Sequence, residues 1–316
     1  MSVTFADIQA AAGRIAGVAR RSPVIEFGPS RAPLAGPARL FLKLDCLQPS
    51  GSFKIRGAAN TVASLPAADL ARGLVTASGG NHGLAVTHAA AARGAPAVIY
   101  LPTSTPAAKA DKLRALGAEV VIHGPVWDAA NAAALDRAED DGLTYVHPFA
   151  DPRVIAGQGT AAEEFLADVP ALDVLLIAVG GGGLLAGMAT AAAHLKPSLR
   201  VIGVEPVGAA TLHDSMVAGR PVQLAEITTR AGSLAPRQST SVNLNLIQAH
   251  CEGIVLVDDA AMLAAARWLW AELGIATEMA AAAGIAALAE GRVGGLDGAQ
   301  VGVLVCGAGD DGIVAA

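Results

Sequence analysis

The sequence predicts an α/β fold built around mainly parallel sheets. Short runs rich in Val, Ile and Leu alternate along the chain with Ala-rich stretches of helical character. This alternation is typical of βαβ units, in which helices cover both faces of a parallel sheet. The chain has 316 residues, more than a single hydrophobic core usually holds, so we expect two compact units or one large domain.

The elements can be assigned in order, beginning with an N-terminal helix. Thr4 is its predicted cap, and Asp7 and Arg14 interrupt the apolar residues, so the segment is an amphipathic helix and not a secretion signal. Short β-branched or Leu-rich runs predict the strands ARLFLKL, GLVTAS, AVIYLP, AEVVIHG, LTYVHP, DVLLIAVG, RVIGVEP, GIVLVDD and VGVLVCG. Ala-rich stretches between them predict helices that include residues 82–93, 106–116, 127–141 and 259–273.

The spacing of these elements predicts two domains of different size. Strands and helices alternate at tight, regular intervals from Leu74 to His147, which indicates a small sheet domain inserted in a larger one. We assign residues 1–72 and 151–316 to the large domain and residues 73–150 to the small one. Loop-like sequences cover 33–39 and 228–244, and long loops in compact enzymes often cover the site.

One apolar stretch is long enough to suggest a membrane helix. Residues 174–193 carry no charge, but the glycines from Gly180 to Gly183 in the middle would break such a helix. A buried strand, a glycine turn and a helix account for the whole segment. We therefore expect no membrane association.

Charge and cysteine content narrow the class of partner. The net charge is -6 and no basic run occurs, which excludes the electrostatic surface that nucleic acids or anionic membranes require. A small molecule is the expected partner. Cys46, Cys251 and Cys306 are far apart in sequence and form no CxxC pair, so free thiols in a reducing compartment such as the cytoplasm are expected.

Three unusual sequences fall at the carboxyl ends of predicted strands, where open α/β sheets bind ligands. They are SGGNHG, GGGGLLAG and CGAGDDG. A glycine run that turns into a helix exposes backbone N–H groups at the positive end of the helix dipole, so Gly180–Gly183 is a candidate phosphate cradle. A plain packing turn is the simpler alternative. Glu205 ends the next strand, which keeps a NAD-binding oxidoreductase as a remote alternative.

Lys54 occupies an unusual position in a chain that has few charges. It stands at the start of a predicted helix after Ser50, Gly51, Ser52 and Phe53. The positive end of a helix favours loss of the lysine proton, and a neutral lysine amine can form an imine. A surface lysine beside a capped helix is the alternative.

Taken together, the motifs resemble one enzyme family. QPSGSFKIRGAAN, SGGNHG, GGGGLLAG, GVEP and CGAG occur in the order and at about the spacing of the pyridoxal-phosphate enzymes of fold type II, specifically the serine/threonine dehydratases (threonine ammonia-lyases) and serine racemases. The resemblance runs from about Pro23 to Gly309. It implies a tryptophan-synthase-β-like fold, in which the large domain binds the cofactor and the cofactor lies in the cleft between two mainly parallel sheet domains.

The resemblance also implies roles for individual residues. Lys54 would hold pyridoxal phosphate as a Schiff base and act as the catalytic base, and Phe53 would lie beside the cofactor ring. The cofactor's phenolic oxygen would bind Asn81, and its pyridine nitrogen Cys306. The residues implied for the phosphate are Gly180, Gly181, Gly182, Gly183 and Leu184. The residues implied for the substrate are Ser78, Gly79, Asn81 and His82.

The implied reaction is β-elimination. A β-hydroxy amino acid such as L-threonine or L-serine would be converted to a 2-keto acid and ammonia. Cys306 is too weak an acid to protonate the ring nitrogen as an aspartate would, which favours prompt loss of a β-substituent. Relatives that racemise carry a second serine where this chain has Gly79, so racemisation is disfavoured. A racemase, a β-replacement enzyme similar to cysteine synthases and a non-catalytic regulatory protein that binds the cofactor remain alternatives.

Departures from the family pattern concern a cation and the substrate. The relatives' cation site corresponds to Glu205, Ala209 and Thr211, and a threonine hydroxyl is a weak ligand for Mg²⁺ or Ca²⁺. Asp214 is a possible replacement, and a monovalent cation is the other option. AGSL at 231–234 and EMAAAAG from 278 differ from the usual sequences, so the substrate wall is expected to differ. VWDAANAAAL lacks arginine, which favours serine, threonine or a bulkier substrate over hydroxyaspartate. A homodimer is expected from the resemblance.

Overall fold

Two sheets of unequal size organise the chain. The computed structural model describes residues 2–28, 34, 36 and 39–310. The strands are β1 Val24–Phe27, β2 Arg39–Lys43, β3 Leu74–Ala77, β4 Ala97–Leu101, β5 Glu119–Ile122, β6 Thr144–Tyr145, β7 Val174–Ala178, β8 Arg200–Pro206, β9 Gly253–Val257 and β10 Gln300–Leu304. The helices are α1 Phe5–Ile15, α2 Lys54–Ala63, α3 Ala67–Arg72, α4 Asn81–Ala91, α5 Ala107–Ala115, α6 Trp127–Asp141, α7 Pro152–Asp168, α8 Gly183–Leu195, α9 Thr211–Ala218, α10 Ser241–His250, α11 Asp259–Leu273 and α12 Ala283–Ala289.

The larger sheet has six strands in the order β1-β2-β10-β7-β8-β9. Only β1 runs antiparallel to its neighbour, and the other pairs are parallel. All five residues of β7 are buried, because helices cover both faces of a parallel sheet. The α/β class with mainly parallel sheets is therefore confirmed.

The smaller sheet has four strands in the order β5-β4-β3-β6, and every pair is parallel. Its strands alternate with α4, α5 and α6 between Leu74 and Tyr145, as the spacing of the sequence predicts. Separate hydrophobic clusters line the smaller sheet. The exact domain boundaries at 73 and 150 stay a prediction.

Glycines allow α7 and α8 to pack closely against each other. A Cβ on Gly187 would lie 2.2 Å from the carbonyl oxygen of Ile155, and a Cβ on Gly159 would lie 2.8 Å from that of Gly187. Both distances are shorter than van der Waals contact, so only glycine allows the two backbones to approach this closely. Helix α8, which follows the glycine loop, is thereby packed against α7.

Most predicted elements are present, with two differences. Thr4 caps α1 through a capping box with Asp7, as predicted. Strand β1 was not predicted, and α10 begins inside the segment 228–244 that the sequence suggests is a loop. Most of the predicted loop 33–39 lies outside the described residues. In the part of the chain that the structure describes, no helix is long and apolar enough to cross a membrane.

Candidate active site

The sequences predicted to lie at strand ends meet at one pocket. It lies beyond the carboxyl ends of β7 and β10, which are neighbours in the larger sheet. The predicted site residues that line it are Phe53, Lys54, Asn81, Gly180, Gly181, Gly182, Gly183, Leu184 and Cys306. Ser78, Gly79 and His82 lie near Asn81 in the chain but are not among the lining residues. Glu205 lies near the end of a different strand, β8, and Ala209 follows that strand.

Lys54 begins α2 and points its amine into the pocket. Its Nζ donates a hydrogen bond of 2.7 Å to the carbonyl oxygen of Pro148 and lies 5.1 Å from the centre of the Phe53 ring. The backbone N–H of Phe53 donates to the carbonyl of Cys306 at 3.0 Å, which ties the start of α2 to the end of β10. Burial lowers the pKa of Lys54 to about 8, against an opposing effect of Cys306 and Glu278. A substantial fraction of the amine is therefore neutral near physiological pH.

The glycine loop after β7 leaves no room for side chains. A Cβ on Gly181 would lie 2.2 Å from the Phe149 ring, and a Cβ on Gly183 would lie 2.4 Å from the Phe149 carbonyl oxygen. Gly182 has a φ of +90°, a conformation that favours glycine. The loop then enters α8, whose first N–H groups have no intrahelical partner. This arrangement can bind an anion such as a phosphate.

Asn81, the first residue of α4, is fixed by a carboxylate that the sequence analysis did not assign to the site. Its Nδ2 donates to Oε1 of Glu278 at 2.9 Å, and Ser233 Oγ donates to Oε2 of the same carboxylate at 2.8 Å. A carboxylate only accepts hydrogen bonds, so Glu278 fixes the Asn81 amide with its nitrogen toward the Glu278 carboxylate. The only sequence signal was that 231–234 and the segment from 278 depart from the family pattern.

The groups near the start of α4 that could bind an anion are mainly backbone N–H groups. Ser78 Oγ accepts the N–H of Gly80 at 3.3 Å. His82 is buried, and its Nε2 lies 2.9 Å from the carbonyl oxygen of Val146, so this nitrogen carries a hydrogen. Burial, reinforced by the charge of Lys54, lowers the pKa of His82 to about 3. The His82 ring is therefore neutral and already bonded, which leaves backbone N–H groups and Ser78 as the groups available for an anion.

Cys306 follows β10 and is 3% exposed. Burial raises the pKa of its thiol well above the ordinary value, and the nearby carboxylates of Glu278 and Asp45 act in the same direction. The thiol is therefore protonated at neutral pH. It presents a weak, uncharged hydrogen-bonding group to the pocket.

Glu205, which was predicted to bind a cation, has backbone partners. The carboxylate of Glu205 accepts the backbone N–H groups of Leu212 at 2.9 Å and His213 at 2.7 Å, so it caps α9. Burial raises its pKa to about 8. Among the described residues, no group of three or more His, Cys, Asp or Glu side chains could hold a metal ion. A cation at Glu205 and Ala209 stays a prediction.

Comparison with known proteins agrees with this geometry. A family model described as "Pyridoxal-phosphate dependent enzyme" matches residues 15–307. The chain is 38% identical to an L-threonine ammonia-lyase of Geobacter sulfurreducens over 94% of this chain and 73% of the relative. It is 37% identical to a phenylserine dehydratase of Ralstonia pickettii over 98% of this chain and 95% of the relative. The solved structure of maize serine racemase superposes with a TM-score of 0.90 at 29% identity, covering 98% of this chain and 94% of that one. The chain belongs to the family of pyridoxal-phosphate-dependent enzymes.

Proposed function

We propose that this protein is a pyridoxal-phosphate-dependent ammonia-lyase that converts a β-hydroxy amino acid, such as L-threonine or L-serine, to a 2-keto acid and ammonia. The main support is one observation. A partly neutral lysine amine, a glycine cradle at a helix N-terminus and a protonated cysteine thiol line the same pocket. The names of the threonine ammonia-lyase and phenylserine dehydratase relatives support the same class of reaction.

The residues present fit the cofactor. Gly180–Gly183 line the pocket and lead into the N-terminus of α8, where unpaired backbone N–H groups suit the phosphate. Asn81 gives one of its two amide hydrogens to Glu278, so the second is free to bond the phenolic oxygen. Lys54 supplies the amine that forms the covalent link, and Cys306 would lie at the pyridine nitrogen. When bound, pyridoxal phosphate supplies the electron sink that makes the substrate's Cα proton acidic.

Lys54 is the general base in this mechanism. Its Nζ accepts the Cα proton once the amine is not covalently bound, and its lowered pKa keeps the unprotonated form available. The carbonyl of Pro148 holds Nζ at 2.7 Å, which fixes the position of the amine inside the pocket. Ser78 and the N–H groups at the start of α4 bind the substrate carboxylate. Cys306 remains uncharged, so it would not stabilise a protonated ring nitrogen on the bound cofactor, which would favour loss of the β-hydroxyl over reprotonation at Cα.

The function is tested by assaying keto acid and ammonia with L-threonine, L-serine and L-phenylserine on enzyme saturated with cofactor. Equal amounts of keto acid and ammonia from at least one of these substrates support the proposal. A cofactor-bound protein that releases neither product from any of them would refute it. Consumption of the amino acid only when a thiol is added would indicate β-replacement.

The pKa of Lys54 gives a testable pH dependence. Only the neutral amine attacks the cofactor aldehyde. The rate at which the apoprotein takes up the cofactor should therefore rise about tenfold per pH unit below about pH 8 and level off above it. Stopped-flow absorbance measures the rate, and the same cofactor with a free alkylamine corrects for the aldehyde's own ionisation. A midpoint at about 10.4, the ordinary value for lysine, would contradict the burial effect.

Gly79 separates elimination from racemisation. It offers no group that moves a proton, so the wild-type enzyme should form D-serine at least about 100-fold more slowly than keto acid. A Cβ at Gly79 would lie 2.9 Å from Cγ2 of Thr105, so Gly79→Ser needs Thr105→Ala to make room. We expect this double variant to form more D-serine than Thr105→Ala alone, measured by chiral chromatography. Comparable wild-type rates of the two products would favour the racemase alternative.

The cellular setting and assembly belong to the same proposal. The three cysteines are free, with Cys46 and Cys306 buried, which supports a reducing compartment such as the cytoplasm. We also propose a homodimer. Large apolar side chains such as Val207, Val217 and Trp270 are exposed, and light scattering on the holoenzyme would show whether a second copy covers such surfaces.

A further inference from the structure

Two buried side chains of the segment 228–244 reach the glycine loop. Asn243, on α10, donates from Nδ2 to the carbonyl oxygen of Gly181 at 2.6 Å. Ser239 donates from Oγ to the same oxygen at 2.9 Å. Asn243 is fully buried and Ser239 is 5% exposed. Both acceptor sites of one loop carbonyl are therefore occupied by donors from outside the pocket.

Holding this oxygen determines the direction of the next N–H. The carbonyl of Gly181 and the N–H of Gly182 belong to one peptide group, and in a trans peptide they point in opposite directions. The described residues contain no cis peptide bond. Gly181 and Gly182 line the pocket, whereas Ser239 and Asn243 do not. The Gly182 N–H is thus directed away from Ser239 and Asn243 and toward the pocket.

The loop needs such a restraint because its residues are glycines. Glycine visits both positive and negative φ at little cost, so a peptide between two glycines can rotate. In the part of the chain covered by the structure, no backbone hydrogen bond engages the N–H groups of Gly182 and Gly183. Without Ser239 and Asn243 the Gly181–Gly182 peptide could turn its carbonyl toward the pocket, where its partial negative charge would repel a phosphate.

We propose that Ser239 and Asn243 are positioning residues for the cofactor phosphate, which act by holding the Gly181–Gly182 peptide with its N–H toward the pocket. The orientation of the Asn243 amide supports this role. Its Nδ2 also donates to the Phe149 carbonyl at 3.2 Å, while its buried Oδ1 has no hydrogen-bond partner. An unpaired buried acceptor is costly, so the donors are the groups this site uses. The inference rests on the proposed function only in assuming the cofactor.

The test compares pyridoxal phosphate with pyridoxal, which lacks the phosphate. Dissociation constants for both are measured on the apoprotein by quenching of tryptophan fluorescence, for the wild type, Asn243→Ala and Ser239→Ala. We expect either substitution to raise the dissociation constant of pyridoxal phosphate by about 10- to 100-fold, the range for hydrogen bonds to charged groups. The dissociation constant of pyridoxal should change by less than about threefold, because the Gly181–Gly182 peptide contacts only the phosphate.

A matched control lies between the two residues. Thr240 Oγ is buried without a hydrogen-bond partner, so Thr240→Val should leave both dissociation constants unchanged. Equal losses for both ligands, or no loss for either, would overturn the proposal. If Asn243→Ala does not fold, Ser239→Ala decides the question by itself. A wild type that binds pyridoxal phosphate but makes no keto acid would refute the proposed function and leave this inference standing.

Discussion

Replacing Lys54 by Ala should abolish the covalent link to the cofactor and lower keto-acid formation by about 10²- to 10⁴-fold, the usual contribution of a positioned general acid or base. Lys54 is the only lysine among the residues that line the pocket of the described structure, and its amine is held at 2.7 Å from the Pro148 carbonyl. No neighbouring lining group can form an imine in its place. Borohydride reduction followed by peptide mass mapping would locate the linked residue, and single-turnover kinetics would measure the loss.

Two further variants test whether the amine of Lys54, and not its positive charge, is required. Lys54→Arg keeps a cation that can donate to Pro148 but cannot serve as an amine nucleophile or as a base near neutral pH, so it should be as inactive as Lys54→Ala. Lys109→Ala, on the exposed surface of α5, should behave as the wild type. Borohydride attachment at a lysine other than Lys54, or a Lys54→Ala enzyme with more than about a tenth of wild-type turnover, would contradict the assignment.

Much of the fold follows from the sequence because local pattern and global architecture agree. Uninterrupted apolar runs such as that of β7 are required where helices cover both faces of a parallel sheet, and these runs are visible without a structure. Strand β1 carries no such signal. It has four residues, three of them only partly buried and one exposed, at the edge of the sheet. Its place in the sheet depends on pairing with β2, and not on its own composition.

The residues of the candidate site also fall into two groups, those that the sequence could predict and those that it could not. The glycine loop and Cys306 could be placed together because the carboxyl ends of parallel strands meet at one edge of a sheet, and Lys54 was added to them by the resemblance of its motif to the family. Glu278 could not, because its contact with Asn81 spans 197 positions of sequence and no local motif encodes it. Ser239 and Asn243 act on the loop from behind through its carbonyl. Only the three-dimensional arrangement reveals such contacts.

Replacing Arg56 by Met should lower the free energy of unfolding by about 3–5 kcal/mol, the range for breaking one member of a buried ion pair. Arg56 is fully buried on α2, and it bonds Asp45 at 2.7 Å and Glu164 at 2.7 Å. Its loss would leave two carboxylates with Lys43 as the remaining cation of the cluster, which contacts Glu164 at 2.8 Å. Urea unfolding monitored by circular dichroism would measure the change, and cofactor affinity should fall too, because α2 also carries Lys54.

The pH dependence of stability provides an independent check on the same cluster. Burial by itself would raise the pKa of Asp45, but the charge and hydrogen bonds of Arg56 outweigh it, so the pKa lies below its ordinary value. A depressed carboxyl pKa stabilises the fold above about pH 4 and loses that effect as the pH falls through the folded-state value. Arg56→Met should therefore flatten the acid limb of the stability profile. Arg114→Met, which removes an exposed ion pair with Asp111, should change neither the midpoint nor the profile appreciably. If Arg56→Met lowered the free energy of unfolding no more than Arg114→Met does, the cluster would not stabilise α2.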